Sequence, residues 1–253
     1  MARDLEEVRE RLSHVKKQIR SFRTLLFDYE RSAVLTRSEV FGGELSVLSG
    51  YKTKPIPVSL RSSAGMIVNE LRSCLDTVAC TLAIRNNKTD NNTYFPISRS
   101  QDIFLSDGLR KIRNLSDSDK DRISSYRPYR GGHPHLYSLH EIDRTRKHRR
   151  LVTSSVRSHG VLVAGVPMPF GLGGNVFLRN CTVNGEPVDM LSFGPSNIEQ
   201  DATPIAFGVG RIPSLQPVIS VSYDEPNEIV GKPVSLALKD FSDTVGLIVK
   251  DFS

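Results

Sequence analysis

At 253 residues, with 38% hydrophobic and 25% charged side chains, the chain has the composition of a folded protein rather than a disordered one. That length can bury the core of one large domain or of two packed ones. Its start is charged throughout and no run approaches about 18 apolar residues, so neither a signal peptide nor a membrane span is expected.

The formal charge of +6 is spread unevenly: +1 over residues 1 to 50, +9 over 51 to 150 and −4 over 151 to 253. Residues 110 to 150 alone hold 12 basic against 5 acidic side chains, together with His133, His135, His140 and His148. A local field of that sign suits a polyanion, either RNA or an acidic protein surface. The competing reading is a solvated helix face. Cys74, Cys80 and Cys181 form neither a CxxC pair nor an even set, so a reducing, cytoplasmic setting is expected.

In chain order, Leu5, Val8, Leu12, Val15, Ile19, Phe22, Leu26 and Tyr29 recur at alternating spacings of three and four, a heptad seam that predicts one long helix. Such a seam needs cover, either from another helix of the chain or from the same helix of a second copy, so a homo-oligomer through this helix is one expectation. Residues 38 to 48 form a hairpin around Gly42-Gly43, which supply the positive φ values of a tight turn. From about Ser62 to Arg85, Ala64, Ile67, Leu71, Leu75, Val78 and Leu82 mark a helix face, with Asn69, Arg72, Ser73 and Asp76 on or beside the opposite one. Ser116 with Asp119 forms a capping box for a short helix ending near Tyr126. Beyond the loop from Arg127 to His135, a further helix runs from Leu136 to Arg150.

After Arg150 the character changes to short runs rich in Val, Ile, Phe and Thr. Val176 to Val183 and Pro187 to Phe193 flank Asn184-Gly185, a type I′ turn sequence, and Pro204 to Val209 and Pro217 to Tyr223 read as two more strands. Leu238, Phe241, Val245, Ile248 and Phe252 close the chain with an amphipathic helix. The fold class is therefore α+β: a mainly helical, basic region over residues 1 to 150, and an antiparallel β-rich region over 151 to 253 ending in a helix, the two packed as one domain or as two.

No phosphate-cradling Gly-Lys-Ser/Thr and no GxSxG elbow is present. His133, His135 and His140 match no zinc spacing, and neither metal nor cofactor is expected. On the helix ending at Arg150, His140, Arg144 and His148 share one side, with Leu136, Leu139 and Ile142 on the other. That stripe offers either a proton donor and acceptor beside a phosphate-holding cation, or a solvated face with i,i+4 contacts. Arg72 and Asp76, also i,i+4, read as a structural ion pair, as an anchor to backbone carbonyls, or as part of a site.

The succession Asn69-Glu-Leu-Arg-Ser-Cys-Leu-Asp76, Phe95-Pro-Ile97, Arg127-Pro-Tyr129 and Asp143-Arg-Thr-Arg-Lys-His-Arg149 resembles a widespread bacterial family without an assigned activity. In that family the first block commonly reads NLRSALDH and the last ends in DKHR. The first block is in turn similar to the ribonuclease motif of HEPN-type helical domains, whose members include toxins and antiphage effectors. The resemblance implies a metal-independent ribonuclease assembled from Arg72, Asp76, His148 and Arg149, with His148 moving the proton and the arginines holding phosphate. Thr77 stands where that motif carries its His. Arg144, Arg146, Lys147 and Arg150 would carry the nucleic-acid contact. The two functions to be weighed are an RNA- or polyanion-binding effector and a non-catalytic assembly protein.

Overall fold

The computed structural model describes residues 5–148, 150–163, 166–169, 176–183, 186–209 and 215–253; Arg149, the Asn184-Gly185 turn and the side chains of His148 and Cys181 lie outside the described residues. The fold is α+β, with long helices early, antiparallel sheets later and a closing helix. It divides into two compact units that the chain visits alternately. Met1–Thr24, Val58–Thr153 and Tyr223–Ser253 form a helical unit; Leu25–Pro57 and Ser154–Ser222 form a β unit. This spatial division differs from the linear one at residue 150, because strand pairing and helix docking act across long sequence separations.

In the helical unit, α1 (Glu6–Ala33) buries its seam within the chain itself. Leu5, Val8, Leu12, Val15, Ile19 and Phe22 are each at most 6% exposed, so no second copy is needed to cover the helix. Beside the seam, Arg11 donates to Glu70, Ser73 and Thr77 at 2.7, 2.9 and 3.0 Å, fastening α1 to α2 (Val58–Arg85). Two short turns, α3 (Gln101–Ile103) and α4 (Leu109–Lys111), flank the π-helical segment Phe104–Gly108, a region where sequence periodicity shows no element. The capping box expected at Ser116 starts α5 (Asp117–Ser125): its Oγ accepts from the Asp119 amide at 3.2 Å and donates to the Asp119 carboxylate at 2.7 Å. The last two helices are α6 (Pro134–His148) and α7 (Val234–Asp251), and α7 buries Leu238, Phe241, Val245 and Ile248 as its spacing predicts.

The β unit begins with the expected hairpin, β1 (Val34–Phe41) and β2 (Leu45–Lys52), turning through Gly42 and Gly43 at φ of 60° and 77°. Its later strands are β3 (Ser154–Val163), β4 (Val166–Pro169), β5 (Val176–Val183), β6 (Glu186–Phe193), β7 (Ser196–Asn197), β8 (Thr203–Val209) and β9 (Gln216–Tyr223). A five-stranded sheet runs β1-β2-β8-β6-β5, so the early hairpin forms one edge of a sheet built mostly from the second half of the chain. The second sheet runs β4-β3-β7, with β9 also pairing β3. Leu48, Val188, Leu191, Phe193 and Ala206 from the first sheet pack with Val161 of β3 and Leu215. The last turns of α1 belong to this unit. There the Glu30 carboxylate accepts from the Val221 amide at 2.8 Å, and burial pushes its pKa up to about 7.

Candidate functional site

The polar residues singled out on α2 do not face open solvent. Arg72 is 7% exposed, and its guanidinium closes a ring with Asp76 and the backbone of Phe95. Nη1 donates to Asp76 Oδ1 at 2.6 Å and Nη2 to the Phe95 carbonyl at 2.8 Å, while the Phe95 amide donates to the same Asp76 oxygen at 2.9 Å. A buried guanidinium stays charged and must be met, and this ring meets it. Phe95 itself is fully buried beneath the clamp.

From Phe95 the constraint passes on through backbone hydrogen bonds. The Ser98 amide donates to the Pro128 carbonyl, and the Arg130 amide to the Ser98 carbonyl. The loop behind them winds around the carbonyl of Arg127, which accepts from the amides of Tyr129 and His133. Gly132 passes so close to that oxygen that a Cβ would sit 2.2 Å from it, so only glycine fits.

Helix α6 then lies antiparallel against α2, as three successive contacts show. A Cβ on Gly65 would meet the Arg146 side chain at 2.5 Å, Asn69 donates to the Asp143 carboxylate at 3.0 Å, and Arg72 bears electrostatically on His140. His140 is thereby placed among three cations, Arg72, Lys111 and Arg144, with Asp143 the opposing charge. Burial first, then those cations, push its pKa down to about 3, so the imidazole is neutral at physiological pH. The four sequence blocks of the resemblance are thus joined in one unit: Asn69 to Asp143, Arg72 and Asp76 to Phe95, and Ser98 to the segment from Pro128 to Arg130.

Of the proposed catalytic set, Arg72 and Asp76 stand together. The residue that α6 sets beside Arg72 is His140; residue 148 lies eight residues further on, roughly 12 Å along the helix axis. The His148 side chain and Arg149 lie outside the described residues. Among the proposed nucleic-acid contacts, Arg144 pairs with Glu141 and Lys147 with Asp143 at 2.7 Å. Arg150 pairs with Glu225, whose pKa is lowered chiefly by that hydrogen bond. Arg146 lies across Gly65 at the helix interface. Thr77, at the position where a His was expected from the resemblance, accepts from Arg11 and donates to the Ser73 carbonyl at 3.0 Å.

Sequence reasoning did not find the surface beside this cluster. The Tyr94 amide donates to the Lys111 carbonyl, and a Cβ on Gly108 would meet Ser98 Oγ at 3.2 Å, so the segments around Tyr94 to Arg99 and Phe104 to Arg113 adjoin. They carry exposed Tyr94, Arg99, Lys111 and Arg113, and none of these three cations has an ion-pair partner among the described residues. The signal was present as an aromatic amid basic residues, but no element had been assigned there. Elsewhere, His133 and His135 pack edge to face at 5.8 Å, and His135 contacts Lys232 and Thr244. In the β unit His159 shares a 2.8 Å hydrogen bond with Ser222, whose complete burial makes the pair a packing feature. Among the described residues no three His, Cys, Asp or Glu side chains converge as a metal site, and no helix is long and apolar enough to cross a membrane. No family model, curated protein or solved structure matches the chain.

Replacing Arg72 by Ala leaves the Phe95 carbonyl without its donor and Asp76 with the Phe95 amide but no cation, and is expected to cost about 3 kcal/mol of stability, the low end for a broken buried pair because Asp76 keeps that amide and some solvent contact. Urea denaturation measures this, and a loss below about 1 kcal/mol would show that the clamp is not structural. A second outcome concerns acid. Because His140 titrates lower folded than unfolded, its contribution is present above its ordinary value near 6.5 and is lost as pH falls from there toward 3. Wild-type protein should therefore lose more stability than His140→Gln between pH 7 and pH 4.5; equal losses would place His140 in an ordinary aqueous environment.

Proposed function

We propose that this protein binds RNA or a similar polyanion without cutting it, through the surface formed by Tyr94, Arg99, Lys111 and Arg113 at the edge of the His140 cluster. The observation that carries the reading is an exposed aromatic ring on a segment joined to one bearing unpaired cations, the combination that stacks a base while holding its phosphates. The charge of the folded units supports it: the helical unit has 27 Lys and Arg against 20 Asp and Glu, the β unit 7 against 8. Cleavage is left out because Arg72 is buried and its two terminal nitrogens are turned to Asp76 and the Phe95 carbonyl, so the HEPN-like role of that residue lacks a guanidinium presented to a phosphate. The free thiols of Cys74 and Cys80 fit a reducing, cytoplasmic setting, and burial pushes Cys74 up to about 11, far from a reactive thiolate.

Fluorescence anisotropy with a labelled single-stranded RNA at low and moderate salt tests the reading. Affinity should fall with salt, and Tyr94→Ala and Lys111→Glu should each weaken it about tenfold, the scale of one stacked base or one phosphate contact. Lys147→Glu, which alters a cation already paired with Asp143, should matter less. RNA affinity indifferent to Tyr94 and Lys111, or no binding at low salt, would leave the assembly reading ahead.

A further inference from the structure

Among the described residues strand β1 is an open edge of the five-stranded sheet, and several devices that usually protect such an edge are missing from it. Seven of its eight residues are exposed, among them Leu35 at 65%, Val40 at 62% and Phe41 at 52%. It contains no proline, no lysine and no bulge against β2, with which it pairs in unbroken register from Val34↔Lys52 to Phe41↔Leu45. Its only charges are Arg37 and Glu39, which lie on one face 3.6 Å apart and are themselves largely exposed.

The direction of the free backbone groups follows from the turn. The Phe41 carbonyl accepts from the Glu44 amide, so it points toward the hairpin interior. In a strand the N–H and C=O of one residue point the same way and alternate along the chain. Residues 41, 39, 37 and 35 therefore bond to β2, and the backbone groups of Val34, Thr36, Ser38 and Val40 point outward with no partner strand among the described residues. An incoming strand centred on β1 bonds to Thr36, Ser38 and Val40.

We propose that the protein pairs with a second copy of itself through β1, antiparallel and edge to edge, about a two-fold axis at Ser38. In that register Ser38 faces Ser38 of the partner once, on the axis, as a hydrogen-bonded pair, while Thr36 faces Val40, Arg37 faces Glu39 and Leu35 faces Phe41, each of these three pairings occurring twice. The charged and apolar pairs fall at the non-hydrogen-bonded positions, where side chains approach most closely. Moving the axis by one residue would set Arg37 against Arg37 or Glu39 against Glu39, and moving it by two would leave each charge facing an uncharged residue. Charge complementarity thus selects the second copy as occupant and the register together. The pairing joins the two sheets into one of ten strands and is independent of the RNA-binding reading, since it uses only the β unit.

Sedimentation velocity of the full chain over a wide concentration range tests the proposal. The wild type should rise from a 28.2 kDa monomer toward a dimer. Arg37→Glu and Glu39→Arg should each abolish the dimer, and combining them should restore it, because the swap recreates opposite charges in the same register. Ser38→Pro removes an outward-pointing N–H that β2 does not use, so it should abolish the dimer while circular dichroism and the melting curve stay as in the wild type. A wild type that stays monomeric at every concentration overturns the proposal. So does a dimer that survives Ser38→Pro and both single reversals, or a double reversal that fails to recover what the single ones lost.

Discussion

The helical unit is organised around a guanidinium that has left water. Arg72 sits in the middle of α2 with a side chain only 9% exposed, and a group that cannot shed its charge at such a position requires acceptors of fixed geometry. Asp76 supplies one from the next turn and the Phe95 carbonyl supplies the other. Because Asp76 also accepts from the Phe95 amide, the clamp seizes both polar groups of a single residue and fixes the segment after α2 against the helix that precedes it. That segment then holds the loop from Arg127 to Gly132, which delivers the chain to α6. Asn69, one turn before Arg72, meets Asp143 on α6 and completes the circuit.

The C-terminal segment shows why the opposite charges of the two sequence halves are a poor guide to ligands. Six of the ten acids beyond residue 150 belong to the helical unit, not to the β unit: there Glu225 pairs with Arg150, Glu228 with Arg130, and Asp251 accepts from Tyr126. Part of the basic excess around α6 is thereby used to dock the closing segment. What remains unpaired lies earlier, around Lys111, and that shift moves the proposed nucleic-acid surface away from the end of α6. Exposed pairs of this kind add little stability singly, so their main effect is on the field the surface presents.

Much of the local structure was legible in the sequence because it depends on neighbours within a turn or two. The α1 seam, the Ser116 cap, the Gly42-Gly43 hairpin and the apolar face of α7 all appear where spacing and residue type place them. What periodicity could not show is contact across the fold. Nothing in the hairpin's own residues says that β2 pairs with β8, more than 150 residues later. Nor does the polar side of α2 announce that α1 covers it through Arg11 and α6 through Asp143. Helical period groups His140 with His148 in one stripe; only the antiparallel packing of α6 on α2 sets His140 beside Arg72. Arg72 and Asp76 were legible as a pair, and the open choice between an anchor and a site turned on Phe95, nineteen residues downstream of Asp76.

Native-state hydrogen exchange at the Phe95 amide tests the clamp most directly, because that N–H belongs to a loop and donates to Asp76. If the clamp organises the unit, the amides of Phe95 and Ser98 exchange only through global unfolding, with the same free energy and denaturant dependence as Leu75 and Val78 in the core of α2. Exchange at Phe95 that is much faster than at those positions and insensitive to denaturant would mean that the segment opens on its own, and would contradict the account.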